Sequence, residues 1–224
     1  FKNRLGDVML TKKKWALFSL LTLCGGTIYK LPSLKDAFYI PMQEYFHLTN
    51  GQIGNAMSVN SFVTTIGFFL SIYFADKLPR KYTMSFSLIA TGLLGVYLTT
   101  MPGYWGILFV WALFGVTCDM MNWPVLLKSV SRLGNSEQQG RLVGFFETGR
   151  GIVDTVVALS ALAVFAWFGS GLLGFKAGIW FYSIIVIAVG VIIFFVLNDK
   201  EEVPSVEVTK DDDTTVGTET IHLC

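Results

Sequence analysis

Five charged side chains, Lys30, Asp119, Glu147, Arg150 and Asp154, interrupt stretches that are otherwise apolar enough to lie in a bilayer. Left facing lipid at mid-membrane, each would cost about 2.5–3.5 kcal/mol, and the five together on the order of 15 kcal/mol. That exceeds the folding stability of many domains. The five must face a protein interior or a water-filled cavity. Two kinds of chemistry suit such a place. Cations can hold an anionic solute, and carboxylates withdrawn from water can carry protons, because desolvation opposes their charged form.

Helical spacing groups these residues. Glu147, Arg150 and Asp154 stand at i, i+3 and i+7 on one stripe with Gly144, Gly151 and Ala158, while Phe145, Ile152, Val153, Val156 and Leu159 take the other faces. Gly115, Asp119, Asn122 and Leu126 align in the same way, with Trp123 beside them. Ser19, Gly26, Thr27, Lys30 and Ser33 form a third stripe, and Ser58, Ser61 and Thr65 a fourth. The simplest arrangement points all four stripes at one wet vestibule. Lys30 and Arg150 are then the anion contacts. Tyr29, Asn122 and Trp123 orient the solute, Asp119 serves solute or proton, and Glu147 and Asp154 serve proton coupling. A plainer account also fits: Arg150 can neutralise both Glu147 and Asp154 on its own helix, and Lys30 can snorkel to the outer surface. Asp119 has no cation on its own helix.

The elements that must position these residues are legible in the charge distribution. The 224-residue chain is 53% hydrophobic and only 15% charged, against about a quarter charged in soluble domains. No charge occurs in 48–75, 82–118 or 177–198, lengths that cross roughly 30 Å of hydrocarbon at 1.5 Å per residue. Six spans are expected, at 15–38, 53–75, 82–101, 104–127, 142–168 and 175–197, forming one bundle over 15–197. Met101-Pro102-Gly103 divides the longest run. Thr49-Asn50-Gly51-Gln52 and Ser136-Glu137-Gln138-Gln139 read as capping boxes that start spans two and five. The last span is apolar on every face and is expected to touch lipid or helix all round.

Lys2, Arg4, Lys12, Lys13 and Lys14 precede span one; Lys77, Arg80 and Lys81 follow span two; Lys128, Arg132 and Arg141 flank the turn after span four; Lys200 and Lys210 follow span six. The other side has only Lys35 and Lys176. The positive-inside rule therefore puts both termini in the cytoplasm, with a basic segment at 1–14 and a polar, disordered tail or linker at 198–224. Cys24, Cys118 and Cys224 imply no disulfide framework, and His47 and His222 are too far apart in sequence for a metal cluster, so neither metal nor cofactor is expected. The net charge of +1 gives no sign of a nucleic-acid partner. Nothing resembles the nucleophile, base or phosphate loop of an enzyme. Spans one and four, which open the two halves of the bundle, both carry Gly and then Pro, a sign of broken helices around a transport site.

Residues 74–81, "FADKLPRK", resemble the loop between helices two and three of the major facilitator superfamily, G-x-L-a-D-r-x-G-R-[RK]. Ala75, Asp76, Lys77, Arg80 and Lys81 match or conservatively replace that pattern, while Ile72, Phe74 and Pro79 depart from it. Residues 126–154 are similar to helices four and five of bacterial members that carry sugars, sugar acids or phosphorylated organic anions. The resemblance implies a fold of two three-helix repeats, half of a twelve-helix permease of the bacterial inner membrane. It implies alternating-access transport of a small polar, anionic solute, coupled to protons or to exchange. It also makes Asp76, Arg80 and Lys81 gate residues that pair across to a second bundle. Only one bundle is present here, and the chain opens on Phe1. A fragment, a homodimer, and a six-span channel or non-transporting subunit are therefore the alternatives. If Asp76 closes a gate, Asp76→Asn slows turnover more than binding; an unchanged rate at saturating solute removes that role.

Overall fold

The computed structural model describes residues 12–74, 79–134 and 139–197, all of them helices and the short turns that join them. The α-helices are α1 (Lys12–Thr27), α2 (Leu34–Tyr45), α3 (Asn50–Phe74), α4 (Arg80–Leu98), α5 (Tyr104–Phe114), α6 (Trp123–Ser131), α7 (Gln139–Trp167) and α8 (Leu172–Val196). A 3₁₀ turn at Ile28–Lys30 joins α1 to α2, and a π-helix at Gly115–Asn122 joins α5 to α6. Asp76, Lys77, the N-terminal 11 residues, most of the second capping box and the tail beyond Leu197 lie outside the described residues.

Local signals explain several boundaries. At the start of α3, Gln52 N–H donates to Thr49 Oγ1 at 3.3 Å and Thr49 N–H donates to Gln52 Oε1 at 2.9 Å, the reciprocal capping box expected there. Met101 takes a left-handed φ of 57° in the turn before α5. The first membrane segment runs further than its expected end at 38: α2 continues to Tyr45 through Pro41, bending at Phe38 (φ −128°, ψ 38°). A proline three residues on deprives that turn of a backbone donor, so the chain kinks and does not stop.

Five helical stretches are long and apolar enough to cross a membrane: Lys14–Tyr45, Asn50–Ser71, Tyr104–Ser131, Gln139–Trp167 and Leu172–Val196. The third expected span forms a helix, α4, but it falls short in apolarity. Its polar residues are turned inward. Thr83, Ser85, Ser87 and Thr91 are all buried. Ser87 Oγ donates to Thr117 O at 2.5 Å, and Thr91 Oγ1 donates to Thr117 Oγ1 at 2.9 Å. Two of the side chains that lower the hydropathy of α4, Ser87 and Thr91, thus hold the π-helix, while Thr83 Oγ1 donates to the Pro79 carbonyl at the start of its own helix. The sixth expected span, α8, is apolar apart from Lys176 near its start and a few polar side chains, and its faces are not equivalent. Gly178, Tyr182, Ser183, Val186 and Gly190 are buried, whereas Ile184 and Phe195 are exposed.

Contact register gives the relative direction of the helices. On α1 and α7, Thr22 meets Gly149 and Gly26 meets Val153, so the two numbers rise together and the helices run parallel. On α4 and α8, Leu88 meets Gly190 and Gly95 meets Ser183, so these helices are antiparallel. Small residues at both seams let backbones approach, as membrane helices require when lipid is as apolar as a leucine side chain. Gly26 is the tightest case on α1: a Cβ there would sit 2.6 Å from Val153 Cγ1 and 3.0 Å from the Arg150 carbonyl oxygen. Gly26→Ala should cost about 1–3 kcal/mol by overpacking. Gly144→Ala, at a position with nothing within 4 Å, should leave stability unchanged or raise it. Thermal unfolding in detergent separates the two, and equal melting temperatures would exclude the tight α1–α7 seam.

Candidate functional site

Two prolines build the centre of the molecule. Pro32 has no N–H to give to the carbonyl of Ile28, four residues earlier. That oxygen instead accepts from the Cys118 thiol at 3.8 Å, and the Pro32 carbonyl accepts from Trp111 Nε1 at 3.2 Å. Pro124 does the same to the fourth membrane segment. The chain ahead of it widens into the π-helix, which ends where Trp123 N–H reaches Cys118 O, five residues back. Both breaks are buried in protein, where non-helical backbone at membrane depth is tolerated.

The breaks bring Tyr29 and Asp119 together. Asp119 Oδ1 accepts from the Tyr29 hydroxyl at 3.0 Å, and Oδ2 accepts from Thr64 Oγ1 at 2.7 Å. One carboxylate therefore ties the first segment, α3 and the π-helix. The other charges form two pairs. Lys30 Nζ lies 2.5 Å from Asp154 Oδ1, an ion pair from the 3₁₀ turn to α7, with the lysine side chain 9% exposed. Arg150 Nε and Nη2 both donate to Glu147 Oε2, at 3.0 and 2.7 Å. The Arg150 guanidinium also lies 5.2 Å from the centre of the Trp123 ring, within cation–π range. Trp123 in turn meets Tyr29 edge to face at 5.9 Å.

Two adjoining cavities surround this cluster. One, of about 470 Å³, is lined by Tyr29, Ser33, Phe68, Asp119, Trp123, Arg150, Gly151 and Asp154. The other, of about 390 Å³, lies along α3 and shares Tyr29, Ser33 and Asp119 with the first.

The structure thus gathers Tyr29, Asp119, Trp123, Arg150 and Asp154 at one cavity, with Lys30 and Glu147 behind it as ion-pair partners. Lys30 does not snorkel outward, and Arg150 pairs with Glu147 while Asp154 goes to Lys30. Asn122 is placed elsewhere: it is fully buried, and its amide meets Cys24 Sγ at 3.8 Å. The physical reason is the π-helix, whose extra residue per turn swings Asn122 away from the face of Asp119. Gly25 and Gly26 do not break span one but remain inside α1 as its contact with α7. Arg80 and Lys81 begin α4, where Lys81 Nζ lies 4.5 Å from the centre of the Phe194 ring at the end of α8. Thr64 and Phe68 were not singled out from sequence. For Thr64 the available signal is its position one turn after Asn60 and beside Thr65 in an apolar helix.

Broken membrane helices that turn ionic side chains into one central cavity define a polytopic helical membrane protein built around a polar interior. The chain belongs to the Major Facilitator Superfamily, a family of membrane transporters, whose sequence profile matches residues 8–220. It is similar to the inner membrane protein YihN of Escherichia coli (strain K12), with 95% identity over 204 residues, 91% of this chain and 48% of that protein. It is also similar to the inner membrane protein YqcE of the same organism, with 29% identity over 194 residues, 86% of this chain and 46% of that protein. The chain spans about half the length of the curated relatives it matches. No solved structure matches it.

Removing one hydroxyl from the Asp119 bridge leaves a carboxylate oxygen short of a donor, a loss of about 1–3 kcal/mol. Tyr29→Phe and Thr64→Val should each lower the melting temperature. Wild-type melting in both variants would mean that the bridge does not hold the segments together.

Proposed function

We propose that the chain supplies a six-helix bundle, with α4 as its sixth crossing, to a secondary transporter of a small polar, anionic solute. It works by alternating access in an inner membrane, with both termini cytoplasmic. The observation that carries this reading is the charge balance at the cavity. Two cations, Lys30 and Arg150, face three carboxylates, Asp119, Glu147 and Asp154, and each cation already holds one of them. An anionic solute can bind Arg150 or Lys30 only by displacing Glu147 or Asp154. The displaced carboxylate, Glu147 or Asp154, then lies unpaired beside the cavity, 39% or 49% exposed, and is the group offered to a coupling proton. Solute entry and proton entry are coupled by that exchange. Trp123, stacked on Arg150, and Tyr29 orient the solute beside the guanidinium. Asp119, which has no cation, links this exchange to the positions of three membrane segments.

The second bundle, whether the remainder of a longer permease or another copy, is placed against α3 and α7. These are the least covered of the long helices, and they expose Phe62, Phe69, Ile152 and Leu159. The Asp76 gate and the pairing of Arg80 and Lys81 across that seam belong to the same proposal. In proteoliposomes, Asp119→Asn should abolish uphill uptake driven by a proton gradient while leaving solute exchange. Undiminished accumulation would exclude Asp119 from coupling.

A further inference from the structure

Charge is divided unevenly along the chain. Residues 198–224 hold eight acidic side chains and two basic ones, a net of −6, although the whole chain carries +1. Residues 1–197 therefore carry +7 (+1 minus −6). Three of the acids are consecutive: Asp211, Asp212 and Asp213.

Part of the opposing positive charge converges at one end of the bundle. Thr22 meets Gly149 and Gly26 meets Val153, an offset of 127 positions in both cases (149 minus 22, 153 minus 26). Carried down the same parallel seam, that offset sets Lys14 of α1 level with Arg141 of α7. Lys14 Nζ also donates to the Leu133 carbonyl at 3.3 Å, next to Arg132 at the end of α6. Three cations from three helices therefore surround one place, with Arg132 and Arg141 exposed and Lys14 half-buried. The five carboxylates among the described residues lie elsewhere, Asp36 and Glu44 on α2 at the far end and Asp119, Glu147 and Asp154 around the cavity. None of the five pairs with Lys14, Arg132 or Arg141. Like charges gathered in this way repel one another unless an anion joins them.

The acidic run is within reach. The chain turns back between α7 and α8, so α8 ends at the level where α7 begins, and it touches both α1 and α7. Asp211 follows Leu197 by 14 positions (211 minus 197), a length that spans up to about 46–50 Å when extended. Neighbouring helix axes are only about 8–10 Å apart. A tether of this kind also gives the run an effective concentration in roughly the millimolar range, which a free anion must match to compete.

We infer that Lys14, Arg132 and Arg141 form a docking surface for the chain's own acidic run, Asp211–Asp213. The contact is an electrostatic latch that holds the tail beneath the ends of α1, α6 and α7. It depends on no particular solute and stands apart from the transport reading above.

Fluorescence anisotropy of a maleimide dye at Thr215→Cys, in a Cys224→Ser background, reads the latch; Cys24 and Cys118 are fully buried and do not take the dye. The chain is held in nanodiscs of phosphatidylcholine, which carries no net charge. At about 10 mM salt, with a screening length of about 30 Å, anisotropy should be high; at about 1 M, with about 3 Å, it should fall. The value reached should be that of the chain carrying Asp211→Asn, Asp212→Asn and Asp213→Asn. Arg132→Glu with Arg141→Glu should release the tail at low salt. Adding Asp211→Lys, Asp212→Lys and Asp213→Lys should recapture it, a rescue that only a folded chain can give. High anisotropy that survives the charge reversal, or a reversal without recapture, overturns the latch. A tail that is free at low salt overturns it as well; loss of co-purified phosphatidylglycerol on charge reversal would then assign the cluster to lipid.

Discussion

Much of this molecule follows from the need to satisfy backbone carbonyls that two prolines leave without donors at membrane depth. In hydrocarbon, an unpaired carbonyl costs several kcal/mol. For Ile28 the partner comes from a distant position, Cys118, and the irregular backbone nearby is held in the same way, Trp111 donating to the Pro32 carbonyl and Ser87 to that of Thr117. Each repair fixes one helix against another. The polar content of α4 and the burial of Trp111 answer the same demand. The break in span one and the π-helix of span four therefore lie side by side, and this places Tyr29 against Asp119. Local irregularity, its repair and the polar cavity are one arrangement.

The ionic groups obey a related economy. Each cation at the cavity is held by a carboxylate, but the two pairs differ in reach. Arg150 and Glu147 share a helix, three residues apart. Lys30 and Asp154 join different helices across the glycine-lined α1–α7 seam. The first pair can open with little movement of the backbone, whereas opening the second releases a tie between segments. Asp119 differs again, since its partners are hydroxyls and their bonds are directional without being ionic. The cavity therefore combines a mobile pair, a tie and a bridge, each with a different response to an incoming charge.

The helical, membrane-spanning character was plain in the sequence because it depends on charge-free length, a property of single segments. The capping box at Thr49 and the turn at Met101 were legible for the same reason. Periodicity also brought Arg150 and Asp154 to one face, since α7 is regular. It failed for Asn122, where one π-turn shifts the register. It could not reveal that Asp154 pairs with Lys30, because spacing along a helix says nothing of its neighbour. Hydropathy undervalued α4, two of whose hydroxyls, Ser87 and Thr91, bond Thr117 of another helix, and Gly25-Gly26 read as a break although Val153 fills the space beside Gly26. What escaped notice was always a relation between segments.

The Lys30–Asp154 pair has a consequence for biogenesis. The two residues are 124 positions apart (154 minus 30), and at about 5–20 residues per second the ribosome needs roughly 6–25 s to go from one codon to the other. Throughout that interval the lysine has been made and its counter-ion has not. Placing the first segment at its final depth in that interval would cost about 2.5–3.5 kcal/mol for the unpartnered ammonium, a cost that ends only when the fifth segment delivers its carboxylate.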